Sequence, residues 1–201
     1  MANSSGSDVE APERIPTVIL FAETRGFTRM SEMLPPTVVL ARVREFFELV
    51  SAAAQRHDGN VLDVLNDTVM ATFTGDGDAQ HAIEAAQDIQ RDFVPLADAW
   101  EKNYGIKAAV SIGVHSGDAV IGFTGGALKD RLLIFGDCVS LAERMLHRAR
   151  SGEFVFSEQV MEVLRSSGFE INAEELPPVE IPKRDPIRIF GVLLDTRLDF
   201  T

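Results

Sequence analysis

The chain has 201 residues, 45% hydrophobic and 25% charged, with 31 acidic against 19 basic side chains and a formal net charge of −12. That length suits one domain with a substantial core. An acidic surface repels nucleic acid and anionic membrane alike, so neither is expected as a partner, whereas a nucleotide needs only a local basic or metal-bearing pocket. The single cysteine, Cys138, precludes an intramolecular disulfide and suits a reducing cytosol. No apolar run approaches the roughly 20 residues of a bilayer span. The opening MANSSGSDVEAPER lacks the apolar core and basic flank of a signal peptide. The expectation is a cytoplasmic protein with a flexible tail over 1–15, one folded domain over 16–195 and a short tail over 196–201.

Thr17–Glu23 predicts a buried strand, and Arg25-Gly26-Phe27-Thr28 a loop in which Gly26 lets backbone approach a ligand closely. Pro35 and Pro36 open a helix whose apolar positions are Val39, Leu40, Val43, Phe46, Phe47, Val50 and Ala54, ended by Gly59. Val61–Leu65 and Val69–Phe73 flank Asn66-Asp67, which predicts a β-hairpin with a carboxylate at its tip. After a Gly75–Asp78 turn, Ala82, Ile83, Ala86, Ile89, Phe93, Leu96 and Trp100 mark a second amphipathic helix, kinked or cut short by Pro95.

Ile106, Ala108, Val110, Ile112 and Val114 alternate as in a half-buried strand, and His115-Ser116-Gly117-Asp118 turns it back into Ala119–Phe123 as a second hairpin. Gly125–Asp130 reads as a loop and Leu132–Phe135 as a short strand. Asp137 caps a third helix carrying Val139, Leu141, Ala142, Met145 and Leu146. Phe154–Phe156 is another short strand, and Ser157 caps a helix that stops at Gly168. The Pro-rich stretch Leu176–Pro186 leads to a last strand, Ile187–Leu194. This order predicts an α+β, ferredoxin-like fold, a mainly antiparallel sheet with helices packed on one face. Glu23 and Asp67 then lie on adjacent strand ends, either as ligands for a divalent cation or as solvated turn carboxylates.

FAETRGFT (Phe21–Thr28), LNDTVMATF (Leu65–Phe73), SIGVHSGDAVIG (Ser111–Gly122) and IFGDCVSLAERM (Ile134–Met145) resemble, in order, the motifs of the class III adenylate/guanylate (nucleotide) cyclase catalytic domain. Pro186–Phe190 resembles its closing strand, so the likeness runs from about Pro16 to Leu194. The resemblance implies conversion of a nucleoside triphosphate to a 3′,5′-cyclic nucleotide and pyrophosphate, with two divalent ions, Mg2+ or Mn2+, held by two carboxylates. Asp67 falls on one metal position and Glu23 on the other, where the family usually carries Asp. The extra methylene shifts the carboxylate by on the order of 1 Å, a displacement able to cost about 100-fold in rate.

Arg144 matches the family's transition-state arginine and Ser140 its ribose-orienting asparagine, four residues apart on one helix face. Asp63 and Leu133 stand at the base-reading positions, where adenylate cyclases usually carry lysine and Asp or Thr. An aspartate only accepts hydrogen bonds, so it favours guanine N1–H/N2–H2 or cytosine N4–H2 over adenine. Thr24, Arg25, Gly26 and Phe27 match the phosphate loop, and Lys183 matches a basic residue near the triphosphate in one alignment. His57 and His115 read as structural, and Cys138 as a lone buried thiol near a helix start. The family also implies a homodimer whose two sites join the carboxylates of one protomer to the arginine helix of the other. Two functions follow. One is a cyclase with altered base preference and low rate. The other is an inactive cyclase homology domain that binds nucleotide or dimerises as a regulatory module, with its regulatory partner unidentified.

Overall fold

One long strand and its neighbour set the frame. In the computed structural model, which describes residues 13–123 and 132–194, the elements run β1 (Glu13–Arg25), α1 (Phe27–Met33), α2 (Pro36–Arg56), β2 (Asn60–Leu65), β3 (Thr68–Phe73) and α3 (Asp78–Tyr104). They continue with β4 (Ala109–Phe123), β5 (Leu132–Phe135), α4 (Asp137–Arg148), β6 (Glu153–Ser157), α5 (Glu158–Ser167), β7 (Glu174–Val179) and β8 (Ile187–Leu193). The sheet order is β2-β3-β1-β4-β6-β8-β7, with β5 also paired to β4. Every pair is antiparallel except β4 with β6. The α+β, mainly antiparallel architecture is therefore the expected one.

The helices divide between the two faces, and this changes the expected layering. Alternation along β1 sends Val18, Leu20 and Ala22 into the core shared with α2, α3 and α5, and Ile19 towards Cys138 and Ala142 of α4 on the other face. On the first face Phe93 meets both Phe46 and Trp100 edge-on. Burying apolar surface on both sides explains why β4 is closed from Ala109 to Val114, although the sequence pattern predicts a half-buried strand. α4 comes so close that a Cβ on Gly113 would lie 2.1 Å from the Leu146 amide nitrogen and 2.4 Å from the Ala142 carbonyl oxygen.

The same closeness removes the expected hairpin at 115–118. β4 runs straight through it, paired with β1 from Arg25↔Ala109 to Glu13↔Ile121. Gly117 serves packing, because a Cβ there would stand 2.9 Å from Cys138 Cβ. The return strand is β5, and the expected Gly125–Asp130 loop lies outside the described residues, as do most of the two expected tails.

Smaller corrections have local causes. The Arg25–Thr28 loop shrinks to Gly26, at φ 98°, because α1 starts at Phe27. Pro95 does not end its helix: α3 continues to Tyr104, held by buried Ala97 and Trp100. Asp137 is the first residue of α4 and makes no cap; its carboxylate pairs with Arg184. Ser157 holds the cap position of α5, but its hydroxyl bonds His115. β7 lies partly within the Pro-rich stretch, with Pro177 and Pro178 on an outer strand whose register shifts between Leu176 and Val179.

Gly113→Ala tests the α4 contact. The methyl meets backbone atoms that cannot rotate aside, so the Tm should fall by at least about 4 °C in calorimetry. An unchanged Tm would show that α4 can retreat freely.

Candidate functional site

The β2–β3 turn brings two carboxylates to one corner of the sheet. Asn66 adopts φ 54°, a left-handed conformation asparagine tolerates, and the two-residue loop Asn66-Asp67 closes the hairpin between Leu65 and Thr68. Thr68 lies opposite Glu23 on β1, and the Thr24 N–H donates to the Asp67 carbonyl oxygen at 3.1 Å. This bond fastens the turn to the end of β1. The Asp67 carboxyl is held above the usual carboxylate range, first because burial disfavours its charge and then because Glu23 is negative nearby; Arg25 acts in the opposite sense.

Glu23 has a cation of its own. Arg25 Nη1 donates to Glu23 Oε1 at 2.7 Å, Nε donates to Ser111 Oγ at 2.8 Å, and Nη2 reaches the Leu146 and Ala149 carbonyl oxygens at 3.4 and 3.3 Å. The expected phosphate loop is thus changed in two members. The Arg25 side chain turns back towards β4 and the end of α4, and the Thr24 amide is occupied by Asp67. Gly26 is irreplaceable for a different reason, since a Cβ would sit 2.5 Å from the Lys107 carbonyl oxygen. Phe27 and Thr28 open α1, where leading amides have no partner within the helix.

The corner suits a hard divalent cation of one kind. Among the described residues no three His, Cys, Asp or Glu side chains converge as a closed metal cage. Mg2+ commonly takes one or two carboxylates and completes its shell with water and substrate phosphates. Glu23 and Asp67 match that donor set, and the Asp67 carboxyl pKa is raised mainly by burial, with a smaller part from the negative charge of Glu23 beside it.

The other expected site residues are spread over the fold. The buried row of α4 is Cys138, Leu141, Ala142, Met145 and Leu146, which leaves Ser140 and Arg144 exposed on the side away from the sheet. Neither side chain makes a hydrogen bond or ion pair with a described residue, and within one chain they do not converge on the carboxylates. Asp63 pairs across to Met70, and Met70 to Phe21, so Asp63 shares the sheet face of Glu23. Its Oδ1 accepts the Val64 N–H at 3.0 Å. Leu133 lies on β5 opposite Gly122, half-buried. Lys183 sits at φ 64° in the turn before β8, where its neighbour Arg184 ties the turn to α4 through Asp137.

His57 joins α2 to α3 through Asp88 at 3.1 Å and Glu84 at 3.3 Å. Burial drives the His115 pKa down to about 4, and its Nδ1 lies 2.8 Å from Ser157 Oγ. Burial likewise pushes the Cys138 thiol up, and its Sγ lies 3.4 Å from the Asp118 carbonyl oxygen. Sequence reasoning missed Ser111 as a partner of the site; its only signal is a hydroxyl in the apolar run Ala109–Val114 of β4.

Comparison with known proteins identifies the family and the fold. The family model of the adenylate and guanylate cyclase catalytic domain matches residues 9–192. Adenylate cyclase 1 of Rhizobium meliloti is 27% identical over 130 residues, covering 63% of this chain but 20% of that protein. The chain thus spans about a fifth of that relative's length. In fold it is similar to the adenylyl cyclase CyaB from P. aeruginosa, with TM-score 0.82, 21% identity and coverage of 94% of this chain and 98% of that one. It is also similar to the guanylate cyclase domain of RhGC from Catenaria anguillulae, solved in complex with GTP, with TM-score 0.77, 17% identity and coverage of 89% and 97%.

The Asp67 environment makes a prediction about stability. A carboxyl whose folded pKa is raised adds stability at low pH and loses it as pH rises through that folded value. Asp67→Asn removes the charge and should raise the Tm by about 1–2 °C at pH 7, with the gain vanishing towards pH 3. A lower Tm for the variant at pH 7 would contradict the electrostatic assignment.

Proposed function

Because the chain belongs to the adenylate and guanylate cyclase catalytic domain family, we propose that it converts a nucleoside triphosphate to a 3′,5′-cyclic nucleotide and pyrophosphate, with altered base preference and low rate. The observation that carries this reading is the Glu23–Asp67 corner, where Thr68 lies opposite Glu23 and the Thr24 N–H fastens the Asp67 turn to the end of β1 at 3.1 Å. Glu23 and Asp67 would hold a divalent cation, Mg2+ or Mn2+ and two ions in the full reaction, which would neutralise triphosphate charge and polarise the reacting oxygens.

The chain's own residues account for the rest. Glu23 and Asp67 hold the cation-bearing triphosphate, and the amides at the start of α1 face its phosphates. The ribose 3′-oxygen bonds to the α-phosphorus, the bridging α–β P–O bond breaks, pyrophosphate departs with the electron pair, and the hydroxyl proton passes to solvent. Arg144 meets the charge that develops on phosphate, and Ser140 orients the ribose with its single hydroxyl. Asp63 accepts from the base, which favours a guanine or cytosine edge, and Leu133 supplies shape only.

Arg144 and Ser140 face away from their own chain's carboxylates, which supports a site shared between two copies in a homodimer. Exposed Leu65 at the hairpin (70%) and Phe135 on β5 (66%) are apolar surface available to such a contact. The folded unit starts at Glu13, where β1 begins, rather than at the expected residue 16, and the described chain runs to Leu194. Its substrate points to the cytoplasm, and no helix among the described residues is long and apolar enough to cross a membrane.

One observation favours the second reading, an inactive cyclase homology domain that binds nucleotide or dimerises as a regulatory module. Glu23 is already neutralised by Arg25 at 2.7 Å, so a cation must share that carboxylate. Each of the four nucleoside triphosphates, incubated with Mg2+ or Mn2+ and resolved by chromatography, separates the two. Cyclic product above an Asp67→Ala control is expected, greatest with GTP. Calorimetric binding without product would replace the enzyme by the binding module.

A further inference from the structure

Arg25 makes four polar contacts, which reach three parts of the site's support. One nitrogen holds Glu23 Oε1 at 2.7 Å, a second holds Ser111 Oγ on β4 at 2.8 Å, and the third reaches the Leu146 and Ala149 carbonyl oxygens at the end of α4. Ser111 in turn donates to the Arg150 carbonyl oxygen at 2.9 Å, which fixes the acceptor that Arg25 leans on. Glu23 and Arg25 are two apart on β1 and therefore share the face that α4 covers. Both side chains are sheltered, at 19% and 28% exposure, so the pair is less screened than a surface ion pair.

This geometry answers the problem set by the length of Glu23. A free glutamate has one more rotatable bond than aspartate and scatters its carboxylate over a wider volume. Here Oε1 is anchored by a guanidinium that is itself held at three other atoms, and Oε2 takes no partner among the described residues. One oxygen is fixed and the other is presented. The same guanidinium holds the end of the helix that carries Ser140 and Arg144, so the carboxylate and that helix share one anchor.

We infer that Arg25 is a positioning residue for the cation site, fixing the Glu23 carboxylate and locking it to the end of α4, rather than a phosphate contact. The inference rests on the reading of Glu23 and Asp67 as cation ligands. It carries a sign that simple electrostatics does not. If Arg25 merely competed for Glu23, removing its charge would tighten cation binding. If it positions Glu23, removing it weakens binding, as loss of an outer-shell partner does by about 10-fold or more.

Mn2+ binding to the full chain, followed by the electron paramagnetic resonance signal of the free ion, tests this. Arg25→Met should weaken Mn2+ binding about 10-fold. In a Glu23→Asp background, where the shorter carboxylate does not depend on the guanidinium, the same change should cost less than about 3-fold, because coupled residues are not additive. Arg25→Lys keeps the charge without the fork and should weaken binding by an intermediate amount, so it serves as the readout if Arg25→Met does not fold. Unchanged or tighter binding in the folded Arg25 variants, or an equal loss in both backgrounds, would overturn the positioning role. Absence of Mn2+ binding to the unsubstituted chain would instead remove the cation-site reading, and the inference with it.

Discussion

The approach of α4 to β4 is the constraint on which the rest of the structure depends. Side chains at 113 or 117 would collide with the helix, so glycine at both positions lets α4 lie against the second face of the sheet. That contact closes the face opposite α2 and α3 and buries Ile19 and Val155 on it. The end of α4 then supplies the carbonyl groups that orient Arg25, and Arg25 orients Glu23. A packing requirement in the middle of the sheet is thereby transmitted to a carboxylate at its corner.

Local chemistry made part of this readable in the sequence. Asn66-Asp67 between two apolar runs is a turn whatever surrounds it, because asparagine accepts the positive φ the connection needs. Helix α2 announces itself through Pro35 and Pro36 and a long periodic stripe. Ser116-Gly117-Asp118 misleads because glycine has two uses that look alike in sequence, bending a chain or admitting a neighbour, and only the tertiary partner tells them apart. The division of the helices between faces was likewise hidden, since α4 and α3 have equally good apolar stripes and neither states which side of the sheet it will cover.

The candidate site shows the same split between near and far. Glu23 and Asp67 were legible because strand ends and turn tips are defined by short stretches. The use made of Arg25 was not, because the partners that hold it besides Glu23 are 86 to 124 residues away in sequence. Arginine beside glycine in a loop reads as an anion contact. Placed two residues after a glutamate on a strand whose face is about to be covered, it becomes an internal counter-ion. Ser140 and Arg144 are a third case, positioned by the fold to face outward, where no partner within the described residues meets their side chains.

Strand β2 is the outermost strand on its side of the sheet, and its pairing with β3 shifts register between Val61 and Asp63. An unprotected outer strand offers its backbone to other chains, and proteins blunt such edges with irregularities and charge. Asp63 supplies the charge beside the irregularity. A lysine there would guard the edge equally well, while an uncharged apolar residue would leave Val61, Val64 and Leu65 as a sticky ribbon. Solubility therefore permits either sign of charge at 63 and forbids none, so this position, proposed above to read the base, is free to change sign without endangering the folded state.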